Sequence, residues 1–177
     1  MAIVAEGQRG RIYVAPNEEH IKAAQVDKPE GYPTGQLAKR FTGGSCVPYG
    51  LDTFDKLFTN RQLTALTTFS GLVREAQERA TTDAIKAGRA NDGVGLDAHG
   101  AGATAYGEAV SVHLAFIVNK LADRSSCICS WDSSREGLRN VFGRQAIPMT
   151  WDFAEGNPFS GSSGSYDNMM TWITEVI

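Results

Sequence analysis

Three groups of residues in this chain have types and spacings that suggest chemistry. The first is Asn157-Pro158-Phe159, inside the stretch "DFAEGNPF" from Asp152 to Phe159. It falls one proline short of the Asn/Asp-Pro-Pro-Tyr/Phe arrangement, in which a side-chain oxygen and the next carbonyl grip the amino group of an extruded base while the aromatic ring stacks on it. Losing one proline moves the ring by a full position. Asn-Pro is also a good turn by itself, and the serine- and glycine-rich "SGSSGS" follows at once, so the residues favour a turn over catalysis by Asn157.

The second group is "LDAHGAGATAYGEAV", Leu96 to Val110, where Gly100 and Gly102 precede a helical pattern. Glycines there would let backbone approach a cofactor such as S-adenosylmethionine at a helix N-terminus, usually after a buried parallel strand. "RANDGVGL" does not read as such a strand, and Asp123, about 20 residues on, fits the acid of that pattern weakly. A glycine-rich start to a helix is the favoured reading, with Gly100 and Gly102 kept as the alternative cofactor site. The third group, Cys127-Ile128-Cys129 with His99 and His113, lacks the paired Cys-x2-Cys knuckles of a zinc site. Buried thiols and a hydrogen-bonded core histidine are the expected reading, so no metal ligand is assigned.

Basic residues offer a binding chemistry. Arg135, Arg139 and Arg144 bracket a segment read as helical from Ser133, whose pairing with Glu136 looks like a capping box, to about Gly143. Helical spacing would put Arg135 and Arg139 on one face, where their forked guanidinium groups could hold phosphates. The same face could equally be solvated and paired to Glu136 within the helix.

The elements that must position these residues are mostly helical. "TNRQLTALTTFSGLVREAQERATTDAIKA", Thr59 to Ala87, opens with a Thr59/Gln62 capping box, and Leu63, Leu66, Phe69, Val73, Ala76 and Ala80 recur on one face. Unbroken, it would reach about 40 Å. A second helix, Ala103 to Asp123, is apolar over most of its circumference and should be central. "SYDNMMTWITEVI" repeats Tyr166, Met169, Met170, Ile173 and Val176 at helical spacing and stops in mid-pattern, as a piece of a longer protein would. Before these, "RIYVA" (Arg11 to Ala15) reads as a short strand and "PNEEHIKAAQ" as a brief helix with acids in its first turn. Val26 to Leu51 is a long loop, the kind that calls for a partner surface. The expected fold is therefore mainly α, several packed helices with a minor N-terminal β element: residues 1–51 as strand, short helix and loop, and 52–177 as a helical segment of the same domain.

Composition agrees with a globular domain, at 177 residues with 42% hydrophobic and 21% charged side chains. A net charge of −3 argues against a surface that coats nucleic acid, while leaving room for a local basic patch. No apolar run approaches the roughly 20 residues that cross a bilayer, and no signal peptide is evident, so a cytoplasmic protein with reduced cysteines is expected.

Several runs, in order, resemble a segment of the large adenine-specific DNA methylases that carry a zinc ribbon. They are the Phe-Thr-x-Arg-Gln-Leu helix start at Phe58 to Leu63, the Ala-Asp-Arg followed by a Trp at Ala122 to Trp131, the Arg-Asn-x-Phe-x-Arg-Gln-Ala run at Arg139 to Ala146, and "PMTWDFAEGNPF" at Pro148 to Phe159. The resemblance covers most of the chain from Tyr49 onward. It implies that the cofactor motif and zinc ribbon lie upstream and an Asp-Pro-Pro-Tyr motif downstream. This stretch would then be a non-catalytic helical segment that supports DNA or target recognition beside the catalytic domain of the same polypeptide, which would bind S-adenosylmethionine. Two alternatives remain: a complete small S-adenosylmethionine-dependent methyltransferase, and a protein–protein interaction module.

Overall fold

The structure is a computed structural model, which describes residues 2–38, 45–143 and 146–176. Its regular elements are strands β1 (Ile3–Gly7) and β2 (Gly10–Val14), helices α1 (Glu18–Ala23), α2 (Asn60–Lys86) and α3 (Ala103–Ala122), strands β3 (Trp131–Asp132) and β4 (Gly137–Leu138), and helix α4 (Tyr166–Thr174). Helices dominate, with two small antiparallel sheets beside them. Close contacts divide the chain into two units. One comprises Met1–Thr64 with Arg124–Gly156, the other Ala65–Asp123 with Asn157–Ile177.

In the first unit β1 and β2 form a hairpin with Ile3 opposite Val14 and Gly7 opposite Gly10, closed by Gln8 and Arg9. β1 had no separate signal in the sequence because its pairing is what stabilises it. α1 is capped by Asn17, whose Oδ1 accepts from His20 N–H at 2.9 Å while His20 Nδ1 accepts from Asn17 N–H at 3.2 Å. The long loop is anchored where Leu37 N–H donates to Asp52 O at 2.8 Å and Phe54 N–H to Gly35 O at 3.1 Å, while residues 39–44 of that loop lie outside the described residues. The core here gathers Leu37, Cys46, Leu57, Ile128, Cys129 and Val141.

The helix expected from Ser133 to Gly143 does not form. Asp132 accepts from Ser134 N–H at 3.0 Å and from its hydroxyl at 2.6 Å, turning the chain before a helix can start. Glu136 adopts φ +48°, a left-handed conformation that no helix interior accommodates. Trp131 then pairs with Leu138 and Asp132 with Gly137 in a second hairpin. The spacing of Ser133 and Glu136 was that of a capping box, but the aspartate ahead of them captures the backbone.

In the second unit the expected periodicities hold. The Leu66 and Phe69 side chains of α2 and Leu114, Tyr166 and Ile173 pack against a buried centre of Ile117, Leu121 and Met169. α3 is not buried all round: Ile117 is 2% exposed, but Phe116 next to it is 51% exposed and Val112 is also exposed. Where α3 approaches α2 it needs a glycine, because a Cβ on Gly107 would strike the Thr81 hydroxyl and lie 2.9 Å from Gln77 O. Gly71 in α2, by contrast, has open space around it.

This contrast sets opposite expectations for one kind of substitution. Gly107→Ala should destabilise by about 1–3 kcal/mol through overpacking, whereas Gly71→Ala should stabilise by about 0.4–1 kcal/mol by restricting the unfolded chain. Urea unfolding of the two variants checks the signs, and equal shifts would contradict the packing described.

Candidate nucleic-acid interface

Residues far apart in sequence meet at the start of α2, within the first unit. Thr59 N–H donates to Gln62 Oε1 at 2.8 Å and Gln62 N–H to Thr59 Oγ1 at 3.2 Å, so the expected capping box is present. One residue in, Arg61 makes a two-pronged ion pair with Glu155, Nε to Oε1 at 2.8 Å and Nη2 to Oε2 at 2.7 Å, and its Nη1 donates to Ala24 O at 2.7 Å. The Glu155 carboxylate raises the pKa of Arg61 further above its ordinary value. Ahead of the helix, Leu57 O accepts from both the Ser126 hydroxyl at 2.7 Å and Cys127 N–H at 2.8 Å. Ala154 N–H donates to Cys129 O at 2.8 Å, which brings the "WDFAEG" stretch against the same segment.

The structure describes two of the three arginines singled out in the sequence. Arg135 lies exposed in the turn between β3 and β4, and Arg139 just beyond β4 pairs with Asp132, Nη2 to Oδ2 at 3.1 Å. Hydrogen bonds from Ser134, with the charge of Arg139 behind them, hold the Asp132 carboxyl below its usual range. Arg144 lies outside the described residues. With no helix there, Arg135 and Arg139 share no helical face, and the expected presentation of phosphate-binding groups is corrected accordingly.

The two hairpins touch each other. Trp131 Nε1 donates to the Tyr13 hydroxyl at 3.2 Å, and Glu136 Oε2 accepts from Arg11 N–H at 3.3 Å. Sequence reasoning missed this contact because the partners are separated by 118 and 125 positions, and no spacing rule links residues so far apart.

Gly100 and Gly102 serve the loop that contains them. A Cβ on Gly100 would collide with Val94 O, and one on Gly102 would lie 2.7 Å from Asp92 Oδ1 and 2.9 Å from Ala90 O. The first amides of α3 are taken up by the same loop, with Ala103 N–H donating to Ala90 O at 2.9 Å and Thr104 N–H to Asn91 Oδ1 at 3.3 Å. The close approach that these glycines permit is used by the chain itself. Asn157 forms a turn: its Oδ1 accepts from Phe159 N–H at 2.9 Å, its carbonyl accepts from Ser160, and the Phe159 ring is 82% exposed. Its side-chain oxygen is therefore already engaged.

No family model, no curated protein and no solved structure matches this chain.

The thiols gather in the first unit. Cys46 and Cys129 are buried in its core, Cys127 packs against them, and none is in a disulfide. His99 lies exposed in the glycine loop and His113 half-buried in α3. Burial pushes the thiols of Cys46 and Cys127 above their ordinary value. A raised thiol pKa leaves less of the reactive thiolate at neutral pH. Native protein mixed with a chromogenic disulfide reagent should therefore react slowly at pH 7, Cys127 first, and faster as pH rises past the ordinary thiol range. A fast stoichiometric burst at neutral pH would contradict it.

Proposed function

We propose that this chain is a non-catalytic segment of an adenine-specific DNA methyltransferase, a mainly helical scaffold that supports the DNA substrate beside the catalytic domain of the same polypeptide, in the cytoplasm. S-adenosylmethionine would belong to that catalytic domain.

One observation carries the reading. Runs that resemble the zinc-ribbon DNA methylases are widely separated in sequence, yet three of them meet in the first unit. The "FTNRQL" start of α2 supplies Arg61 and the "WDFAEGNPF" run supplies Glu155, its ion-pair partner. Between them, the segment from Ala122 to Trp131 supplies Ser126 and Cys127, which close on Leu57, and Cys129, whose carbonyl receives Ala154 N–H. The loop contacts that close around Gly100 and Gly102 and the turn made by Asn157 favour a supporting role over a complete small methyltransferase.

A protein-interaction module is the second reading, supported by a different feature. Trp151 is 74% exposed and lies edge-on to Tyr49 at 4.6 Å, with Tyr49 also exposed. Amphipathic rings of this kind anchor protein interfaces.

Two measurements on the intact chain test the proposal. Calorimetry with S-adenosylmethionine should show no saturable binding. Anisotropy of a labelled DNA duplex should show binding that weakens steeply with salt and depends little on base sequence, as phosphate contacts require. Duplex binding that is absent at low salt would overturn the supporting role, and micromolar cofactor binding lost in Gly102→Val would return the chain to the enzymes.

A further inference from the structure

Resting on that DNA-supporting reading, we propose that the phosphate-binding surface is the joined tips of the two hairpins, with Arg9, Arg11 and Arg135 as its contact groups. Arg9 sits in the two-residue turn that closes β1 and β2, Arg11 follows Gly10 at the start of β2, and Arg135 occupies the turn between β3 and β4. Glu136 brings these turns together. Its Oε2 accepts from Arg11 N–H at 3.3 Å, and a Cβ on Gly10 would lie 3.4 and 3.5 Å from its two carboxylate oxygens. The Trp131 to Tyr13 hydrogen bond pins the same two hairpins at a second point. Three arginines separated by up to 126 positions are thereby collected at one end of a doubly fastened pair of ribbons.

Their charge is available. Among the described residues, Arg9, Arg11 and Arg135 have no ion-pair partner, whereas Arg61, Arg79 and Arg139 each have one. Of the nearby acids, Asp132 is paired with Arg139, while Glu136 keeps its negative charge because the Arg11 amide that it bonds is neutral. Glu6 stands opposite Arg11 in the strand register and offsets part of its charge, which leaves the tips net basic on a chain of net charge −3. Arg9 and Arg135 are exposed and Arg11 is half-buried. Glu136 holds its positive φ while bonded to the other hairpin, so backbone strain and the contact coincide at the point that joins the tips. A two-stranded ribbon is narrow enough to lie along a DNA groove, and the guanidinium fork matches phosphate oxygens. The partner that fits is therefore the sugar–phosphate backbone of a duplex, read without regard to sequence.

The test is a salt titration of a labelled duplex against wild type, the triple variant Arg9→Ala/Arg11→Ala/Arg135→Ala, the triple arginine-to-lysine variant at the same positions, and Arg74→Ala/Arg79→Ala on α2 as a control for loss of surface charge. Circular dichroism first checks that each is folded. The alanine triple should bind more weakly, with a salt slope reduced by up to about 0.9 per lost contact, while the lysine triple and the α2 control keep the wild-type slope. If the alanine triple unfolds, Arg9→Ala and Arg135→Ala, single changes in exposed turns, carry the test: each should lower the slope by up to about 0.9, and unchanged slopes in both folded variants would overturn the site. A folded alanine triple with the wild-type slope, or an α2 control that loses as much, overturns the hairpin site and leaves the DNA reading standing. No salt-dependent binding by wild type overturns both.

Discussion

The first unit depends on one buried carbonyl. Leu57 O receives two donors, the Ser126 hydroxyl and the Cys127 amide, from a stretch about 70 residues later in the chain. Ser126 is fully buried, and its hydroxyl also accepts from Ile128 N–H at 3.3 Å, so its donor and acceptor capacities are both used. Removing one partner from such a set costs about 1–3 kcal/mol, because buried groups are then left without water or protein to bond. The apolar residues around it, Leu57, Ile128 and Cys129, exclude the water that would otherwise compete. Fixing Leu57 also fixes where α2 starts, and with it the position of Arg61 against Glu155 and Ala24. The Cys129 carbonyl two residues beyond Cys127 then receives Ala154, so the returning chain is laid against the same point.

What could be read from the sequence was local. The α2 helix is announced by a six-residue apolar stripe and by Thr59 and Gln62, whose reciprocal hydrogen bonds need only residues three apart. α4 and α3 follow from the same periodicity, and the six-residue α1 from the acids of its first turn. Its reciprocal cap was not legible, because histidine rather than glutamate supplies the returning side chain. The reading failed between Trp131 and Leu138, where two local signals competed. Ser133 and Glu136 have capping-box spacing, but Asp132, immediately ahead, bonds the Ser134 amide and hydroxyl and commits the backbone to a turn. The apolar circumference of α3 suggested burial on every side. In the structure one face packs on α4 and α2, while Val112 and Phe116 remain exposed.

The candidate site was less legible than the fold because it is built from long-range contacts. Arg61 and Glu155 are 94 positions apart, and the hairpins meet across more than a hundred. No spacing rule links such residues. The arginines flagged in the sequence were taken from a helix that does not exist, and of the two that are described only Arg135 joins the basic tips, with Arg9 and Arg11 from the opposite end of the chain. Gly100 and Gly102 offered a ligand loop as the alternative to a glycine-rich helix start, since glycine allows close approach. The approaching groups belong to the loop itself: the Val94 carbonyl at Gly100, and the Asp92 carboxylate and Ala90 carbonyl at Gly102.

Amide hydrogen exchange in Ser126→Ala against wild type tests the central role of the Leu57 carbonyl most directly. The amides to follow are Cys127, bonded to Leu57 O, Cys129, bonded to Ser126 O, and Ala154, bonded to Cys129 O. If the carbonyl organises the unit, all three are protected in wild type, and removal of the hydroxyl lowers their protection together by about 5- to 150-fold, corresponding to the loss of one buried partner. Fast exchange of Cys127 in wild type, or a change confined to Ile128 with Cys129 and Ala154 unmoved, would contradict the account.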